Sequence, residues 1–171
     1  MVASKRDIVL IAHNLRSCHN VGSLLRTAEG LGVKKVFLTG YTPHPILDSD
    51  SRLPHIANKI HAQIKKTALG AEELIEWVFN PDIFRVIDDL QKDQYIVYGL
   101  EQTPGAIDIS TWNPDSKTAI IIGRETKGIE PEVLTKCDKH IEIPMFGKKE
   151  SFNVVQAAAM ALYHSQFYKS C

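Results

Sequence analysis

Short apolar runs rich in β-branched residues recur along the chain, and segments with helical spacing separate them. Runs of this length bounded by turn residues are typical of buried strands. Strands that alternate with helices fold into layers, in which helices cover a parallel sheet. The pattern therefore predicts an α/β fold: a single domain with a mainly parallel sheet flanked by helices. The predicted strands are 7–13 (DIVLIAH), 34–40 (KKVFLTG), 94–100 (QYIVYGL), 118–123 (TAIIIG) and 139–145 (KHIEIPM).

The first helix is predicted directly after the first strand, in "NVGSLLRTAEGLG". Asn20 is a suitable N-cap and Gly32 a suitable stop. Further helices are predicted over 82–91, 131–136 and 153–168. Residues 41–70 are weakly periodic and contain Pro and His, which favours a long functional loop. The apolar positions of the first helix, three and four residues apart, are Val21, Leu24, Leu25, Ala28 and Leu31.

The composition fits one ordinary globular domain, because 171 residues with 44% apolar content are enough for one core. The apolar run near the start ends at His13 and Asn14, too early for a signal peptide or a membrane span, so a cytoplasmic protein without membrane contact is expected. Three widely separated cysteines without a CxxC spacing favour free thiols over disulfides or a zinc site. No cluster of ligands suggests a metal.

The net charge is zero, but the charges are segregated along the chain. Residues 1–66 carry a net charge of +6, residues 67–116 carry −8, and residues 117–171 carry +2. The first segment also contains five histidines and the run "NKIHAQIKK". A basic surface of this kind can bind a polyanion such as RNA. A solvated charged face is the alternative that the sequence leaves open.

Three clusters of polar and glycine residues adjoin predicted strands, whose carboxyl ends carry the ligand sites in parallel α/β folds. The first, "HNVGSLLRTAEGLG", contains Asn20 and Arg26. The second, "IIIGRETKGIEPEVL", contains Gly123, Glu125 and Gly128. Helix caps, glycine turns and a surface arginine would explain each cluster separately. The GxGxxG and GxxxxGK[ST] fingerprints are absent, which argues against a conventional dinucleotide site or phosphate loop.

The third cluster, "PMFGKKESFNVVQ", leaves a strand through Gly147 and enters an Ala-rich helix. Ser151 or Asn153 can serve as the N-cap of that helix. A helix start after a glycine turn also presents free N–H groups to a ligand. The cluster is therefore either an ordinary connection or a cofactor loop.

The three clusters in this order closely resemble the three motifs of the SpoU (TrmH-type) RNA ribose methyltransferases of the SPOUT class. The resemblance rests on Asn20-x-Gly22-x-x-x-Arg26, on Gly123-x-Glu125-x-x-Gly128, and on "IPMFGKKESFNV" at 143–154. It runs from residue 8 to residue 168, and "KKTALGAEE" at 65–73 is also similar to a stretch common in the family. Phe152 departs from the leucine usual at its position.

The resemblance implies a homodimer with a C-terminal trefoil knot, the SPOUT methyltransferase fold, in which residues 1–171 form one domain without a separate RNA-binding domain. It implies S-adenosyl-L-methionine as the cofactor and a ribose 2′-OH of tRNA or rRNA as the methyl acceptor. The cofactor-binding residues implied by the motifs are Leu100, Gly123, Ile143, Met145, Gly147, Ser151 and Phe152.

The resemblance also implies the catalytic residues Asn20, Arg26, Glu125, Ser151 and Asn153. Arg26 would reach the cofactor of the other subunit and act through a proton relay or by stabilising the forming alkoxide, since an arginine is a poor base. Asn20 and Glu125 would orient it, and Ser151 and Asn153 would shape the acceptor pocket. Glu125 as the base is the alternative. The basic residues expected to contact RNA are Arg16, Arg52, Lys59, Lys65, Lys66, Lys148 and Lys149.

Three other functions compete with RNA ribose methylation. A dimeric RNA-binding protein without catalysis would be expected to lack Arg26 or the glycine loops, and both are present. A SPOUT enzyme that methylates a base nitrogen would lack the Asn-to-Arg spacing and the Ser-x-Asn pair. A nucleotide-binding α/β protein that does not bind RNA would leave the basic first third unexplained.

Overall fold

Seven parallel strands form one sheet in the computed structural model, which describes residues 6–169. The strand order is β3-β2-β1-β6-β4-β7-β5, so β6 lies between β1 and β4. After β3 the chain thus crosses to the other half of the sheet, and β6 later inserts between the two halves. The strands are β1 Asp7–His13, β2 Lys35–Thr39, β3 Trp77–Asn80, β4 Ile96–Leu100, β5 Ile107–Asp108, β6 Lys117–Ile122 and β7 Lys139–Glu142.

Six helices cover the two faces of the sheet. One face carries α1 and α6, with α2 packed on α1, and the other carries α4 and α5. Both faces of the central strands are buried, because alternate residues of β1 and β6 point into different clusters. The helices are α1 Cys18–Gly30, α2 Pro54–Ala68, α3 Ala71–Leu74, α4 Ile83–Lys92, α5 Pro131–Leu134 and α6 Val154–Phe167.

The predicted parallel α/β architecture is confirmed, and the five predicted strands are all present. The predicted strand over 139–145 is three residues shorter, ending at Glu142. The short strands β3 and β5 were not predicted: "WVFN" directly follows acidic residues, and β5 has only two residues. The implied trefoil knot stays a prediction, since strand order alone does not define how the chain threads. Cys18 and Cys137 are free thiols, and Cys171 lies outside the described residues.

The predicted N-cap of α1 was wrong. The helix begins at Cys18, and the Ser17 side chain accepts a hydrogen bond from the Asn20 N–H at 3.2 Å. The helix ends at Gly30, and Gly32 follows in the left-handed conformation. The predicted apolar face is confirmed, because four of its five residues are fully buried and Leu31 packs against the same core.

Residues 41–70 do not form one long irregular segment, so that prediction was wrong. The loop covers only residues 41–53, and α2 occupies Pro54–Ala68. Its helical pattern was hidden because only Ala57, Ile64 and Ala68 are buried. The loop itself is held by Arg52, whose guanidinium pairs with Asp50 and donates to the carbonyl groups of His44 and Pro45, both at 3.0 Å.

Gly22 allows α1 and α2 to approach closely. A Cβ at this position would lie 2.9 Å from the Ala68 nitrogen and still closer to the Ile64 carbonyl oxygen. The Thr67 hydroxyl, which donates to the His19 carbonyl at 2.8 Å, lies in the same contact. The glycine of the first motif therefore has a structural role between two helices.

We predict that Gly22→Ala destabilises the protein by about 1–3 kcal/mol, because overpacking against a backbone costs more than the added helix propensity returns. Gly30→Ala in the same helix is the matched control, since no atom lies within 4 Å of a Cβ there. Chemical denaturation measures both. Equal stability of the two variants would contradict the assigned role of Gly22.

Candidate functional site

A cleft of about 310 Å³ opens at the carboxyl ends of β4, β6 and β7. Three loops form it: the one after β4, the one after β6, and residues 143–153 between β7 and α6. Its volume falls within the range of small-molecule sites. The apolar lining residues are Leu100, Ile122, Ile143, Phe152, Val154 and Ala157, and the charged ones are Glu101, Arg124, Glu125, Lys127, Glu142 and Glu150.

Five of the seven residues predicted to bind a cofactor line this cleft: Leu100, Gly123, Ile143, Ser151 and Phe152. Met145 and Gly147 belong to the same loop but do not line the cleft. Open space surrounds Gly147, since a Cβ there would meet nothing within 4 Å. The structure thus brings the second and third sequence motifs to one edge of the sheet, with Gly147 further out.

Gly123 is required by the loop after β6 itself. Arg124 and Gly128 exchange main-chain hydrogen bonds of 3.0 Å, which closes a short hairpin. A Cβ on Gly123 would lie 2.5 Å from the Gly128 carbonyl oxygen. The absence of a side chain at Gly123 therefore lets the loop close on itself. The sequence motifs had instead assigned Gly123 to cofactor binding.

Glu101 holds the same hairpin from the β4 side. Its carboxylate accepts hydrogen bonds from the Ile129 N–H at 3.0 Å and from the Gln102 N–H at 3.1 Å. Gly128 has φ +64°, and a Cβ there would lie 2.8 Å from the Glu101 carboxyl carbon. Sequence reasoning missed Glu101, whose only signal was an acidic residue directly after a buried strand.

Glu125 joins the hairpin to the start of α1. Its carboxylate accepts hydrogen bonds from the main-chain N–H groups of Arg16 and Ser17, each at 3.3 Å, and from the Asn20 side chain at 3.2 Å. Burial alone would raise the pKa of Glu125, but these bonds and one from its own main chain outweigh burial and lower it. A carboxylate at a helix N-terminus is also favoured by the helix dipole. Glu125 is therefore held ionised and fixes Asn20.

A buried network lies beside this contact, where β1, β2 and β6 end. Asn14 donates to His13 Nε2 at 3.0 Å and to Glu130 at 2.7 Å, while His13 Nδ1 bonds the Thr39 hydroxyl at 2.8 Å. Burial lowers the pKa of His13, which agrees with an imidazole that accepts a hydrogen bond at Nε2. Arg124 Nε lies 3.4 Å from Glu130. The network anchors the hairpin to the first two strands.

Arg26 lies away from the cleft. It is exposed on α1 and lines a shallow, mainly apolar groove of about 650 Å³ between α1 and α6. Met160 and Tyr163 of α6 form the other side of this groove, and Phe167 is exposed one turn further along. Within one chain, Arg26 therefore lies outside the cleft that Glu125 lines.

The predicted acceptor residues occupy different positions. Ser151 is exposed and lines the cleft. Asn153 is the N-cap of α6, and its side-chain oxygen accepts a hydrogen bond from the Val155 N–H at 2.9 Å. Of the two caps that the sequence left open, Asn153 is thus the one used, which leaves the Ser151 hydroxyl free to face the cleft.

Two of the predicted RNA contacts already have partners within the chain. Arg52 is bound within the 41–53 loop, as described above. Lys65 lies 3.3 Å from Glu73 and 3.7 Å from the buried carboxylate of Glu72. The other five are exposed and are not in any ion pair within residues 6–169: Arg16, Lys59, Lys66, Lys148 and Lys149.

Metal-ligating side chains do not gather in the described part of the chain: no group of three or more could hold an ion there. Between residues 6 and 169, no helix is long and apolar enough to cross a membrane.

Sequence comparison relates the chain to a known family. The sequence profile of the SpoU rRNA Methylase family matches residues 7–163. A TrmH-family protein of Staphylococcus aureus (strain COL) is 31% identical over 155 residues, 91% of this chain and 56% of that protein. The 23S rRNA (guanosine-2′-O-)-methyltransferase RlmB of Xanthomonas axonopodis pv. citri is 29% identical over 165 residues, 95% and 59% respectively. The chain thus spans less than two thirds of these relatives.

Solved structures share the fold. The SpoU methyltransferase AviRb from Streptomyces viridochromogenes, in complex with AdoMet, superposes with a TM-score of 0.78 at 22% identity, over 95% of this chain and 58% of that one. The A. aeolicus TrmH/SpoU tRNA modifying enzyme gives 0.77 at 18% identity, over 95% and 75%.

We predict that Glu125→Gln removes a pH-dependent part of the stability. Because the folded state lowers the pKa of Glu125 below its ordinary value of 4.5, the ionised form stabilises the fold above that pH. This contribution is lost as the pH falls through the folded pKa. The free energy of unfolding of wild type should therefore exceed that of Glu125→Gln at pH 7, and the difference should shrink below about pH 4.5.

Chemical denaturation between pH 3 and pH 7 measures this difference. The exposed Glu132→Gln is the matched control and should show little difference from wild type at neutral pH. A difference between wild type and Glu125→Gln that stays constant down to pH 3 would contradict the proposed ionised contact.

Proposed function

Because this chain belongs to the SpoU rRNA methylase family, we propose that it is an S-adenosyl-L-methionine-dependent methyltransferase that acts on a ribose 2′-OH of tRNA or rRNA. The observation that carries the proposal is the hydrogen bond between Asn20 and Glu125, 3.2 Å, which joins the first and second motifs beside the cleft. Two relatives support the chemistry by name: RlmB is a guanosine-2′-O-methyltransferase, and AviRb is a SpoU methyltransferase crystallised with AdoMet.

The residues of the cleft fit this cofactor. Leu100, Ile143 and Phe152 offer apolar surface for an adenine, and the main chain of the hairpin after β6 offers polar groups for its edge. Four glutamates outnumber one arginine and one lysine in the lining, and this acidic balance suits a ligand that carries a sulfonium and an ammonium group. When bound, S-adenosylmethionine supplies an electrophilic methyl group. Most of the protein's contribution is then to position the acceptor and exclude water.

The active form that we propose is a homodimer. Met160, Tyr163 and Phe167 expose apolar surface along one side of α6, and an apolar patch of this kind is typical of an interface. Arg26 borders the same groove, so association through this face would bring it towards the partner's cleft. We also propose the C-terminal trefoil knot that the family resemblance implies.

Arg26 would act on the acceptor oxygen as a fixed cation. A guanidinium stays protonated in proteins, so Arg26 would stabilise the forming alkoxide, while the proton of the acceptor hydroxyl would leave through a relay assisted by a phosphate of the RNA. Glu125 is a weaker candidate for the base, because its carboxylate already accepts three hydrogen bonds from α1 and its neighbourhood and its pKa is lowered. Its proposed role is to orient Asn20 and, across the dimer, Arg26. Ser151 would shape the acceptor side of the cleft.

We predict that the protein binds S-adenosylmethionine in the presence of a chelator and without RNA, because the apolar and acidic lining of the cleft matches the adenine and the positive charges of the cofactor. Isothermal titration calorimetry measures this binding. Purified protein incubated with labelled cofactor and total tRNA or rRNA should then yield a 2′-O-methylnucleoside on digestion and mass spectrometry. A methylated base would contradict the ribose assignment, and RNA binding without cofactor binding would favour a non-catalytic protein.

We predict that Arg26→Ala lowers turnover by about 100-fold or more while the dissociation constant for the cofactor stays nearly unchanged, because the residue acts on the transition state. Arg26→Lys should be almost as inactive, since lysine keeps the charge but loses the planar fork. Phe152 lines the cleft with 38% of its surface exposed, so Phe152→Asp should impair the cleft of its own subunit. A mixed dimer of one Arg26→Ala and one Phe152→Asp chain should regain activity, because its one intact cleft receives Arg26 from the partner subunit. Failure to regain it would contradict action across subunits.

A further inference from the structure

Phe146 is a fully exposed aromatic residue at the tip of the loop between β7 and α6. The residues on either side of the tip return to the cleft, since Ile143 and Ser151 both line it. Every residue from 146 to 153 is exposed. The aromatic ring therefore stands beside the cleft without contributing to the core, and neither the fold nor the cofactor site accounts for it.

The base of this loop is anchored while its tip makes few contacts. The Gln102 side chain donates to the Glu150 carbonyl at 3.1 Å, and Asn153 caps α6. Between these anchors and β7, open space surrounds Gly147. Phe146 is thus presented from a fixed base and remains accessible to a large partner.

The charges around Phe146 favour RNA over a second copy of the chain. Lys148 and Lys149 follow Phe146 after Gly147, are exposed, and pair with no carboxylate of residues 6–169. Lysine is depleted in protein–protein interfaces, whereas aromatic residues interleaved with basic ones are typical of surfaces that bind single-stranded nucleic acid. The groove that contains Arg26 and Met160 has the opposite character, being apolar and without lysine.

We propose that Phe146 stacks on an unpaired base of the RNA substrate while Lys148 and Lys149 contact the adjoining phosphates. The acceptor nucleotide would then lie in a loop or other single-stranded region, since a base inside a duplex presents no free face for stacking. The proposal rests on the proposed RNA methyl transfer and names the kind of RNA structure that the cleft accepts. Phe146 is a substrate-binding residue in this scheme and takes no part in cofactor binding.

The test compares Phe146→Ala with Phe146→Trp and with Phe84→Ala. Phe84, 40% exposed on α4, is the matched control, because its truncation also removes an exposed aromatic ring but outside the loop. Each variant is assayed for methyl transfer to the total tRNA or rRNA preparation that the wild type methylates. Binding of one mixed-sequence oligoribonucleotide, single-stranded and as a duplex, is measured in parallel, together with cofactor affinity and oligomeric state.

Phe146→Ala should raise KM for RNA and weaken single-strand binding by roughly 5- to 150-fold, the range of alanine substitution at a stacking residue. Phe146→Trp should restore KM and single-strand binding to near the wild-type values. In both Phe146 variants, kcat, cofactor affinity and duplex binding should stay near wild type. Phe84→Ala should resemble the wild type in every property measured. A Phe146→Ala protein with wild-type KM for RNA overturns the proposal. If Phe146→Ala turns a dimeric wild type into a monomer, the proposal is overturned in favour of a subunit contact. If Phe146→Ala weakens cofactor binding, the proposal is overturned in favour of a lid over the cleft. If the wild type itself transfers no methyl group, the proposed function fails, whereas the binding assay still tests the stacking.

Discussion

Two carboxylates hold the hairpin after β6, and the arrangement of the cleft depends on them. Glu101 binds main-chain N–H groups of the hairpin and of the β4 loop, and Glu125 binds those at the start of α1. Charge-assisted hydrogen bonds of this kind are among the stronger ones in proteins. They fix a glycine-containing loop that has few apolar contacts of its own. Because the loop is already held in place, a ligand that contacts its main chain would not have to order the loop on binding.

Two glycines of the motifs allow segments of main chain to approach each other closely. Gly22 lets two helices touch, and Gly123 lets the hairpin close on Gly128. Such positions tolerate no side chain because interiors are close-packed and a backbone cannot rotate out of the way. Motif residues that the sequence suggests as ligand contacts can thus instead stabilise the main chain around the site. The side chains that face the cleft, such as Ser151 and Phe152, come from the following loop.

The basic first third of the sequence is less basic as a surface than its composition suggests. His13 and His44 are buried, and burial lowers the pKa of each. Arg52 forms an ion pair within its own loop, and Lys65 pairs with two glutamates. The exposed cations that remain, including Arg16 and the lysines of the β7–α6 loop, come from different parts of the chain. Only folding brings their loops to the same edge of the sheet.

The sequence by itself determined the α/β class, the five main strands, the buried face of α1 and the three motifs, because periodicity and turn residues are local properties. The tertiary structure decided what local patterns cannot encode. Asn20, expected to cap its own helix, instead donates to Glu125, which is 105 residues away. Glu101 gained its role from the pairing of β4 beside β6. Arg26 was separated from the cleft because α1 packs against α6, a contact that spacing in one helix does not specify.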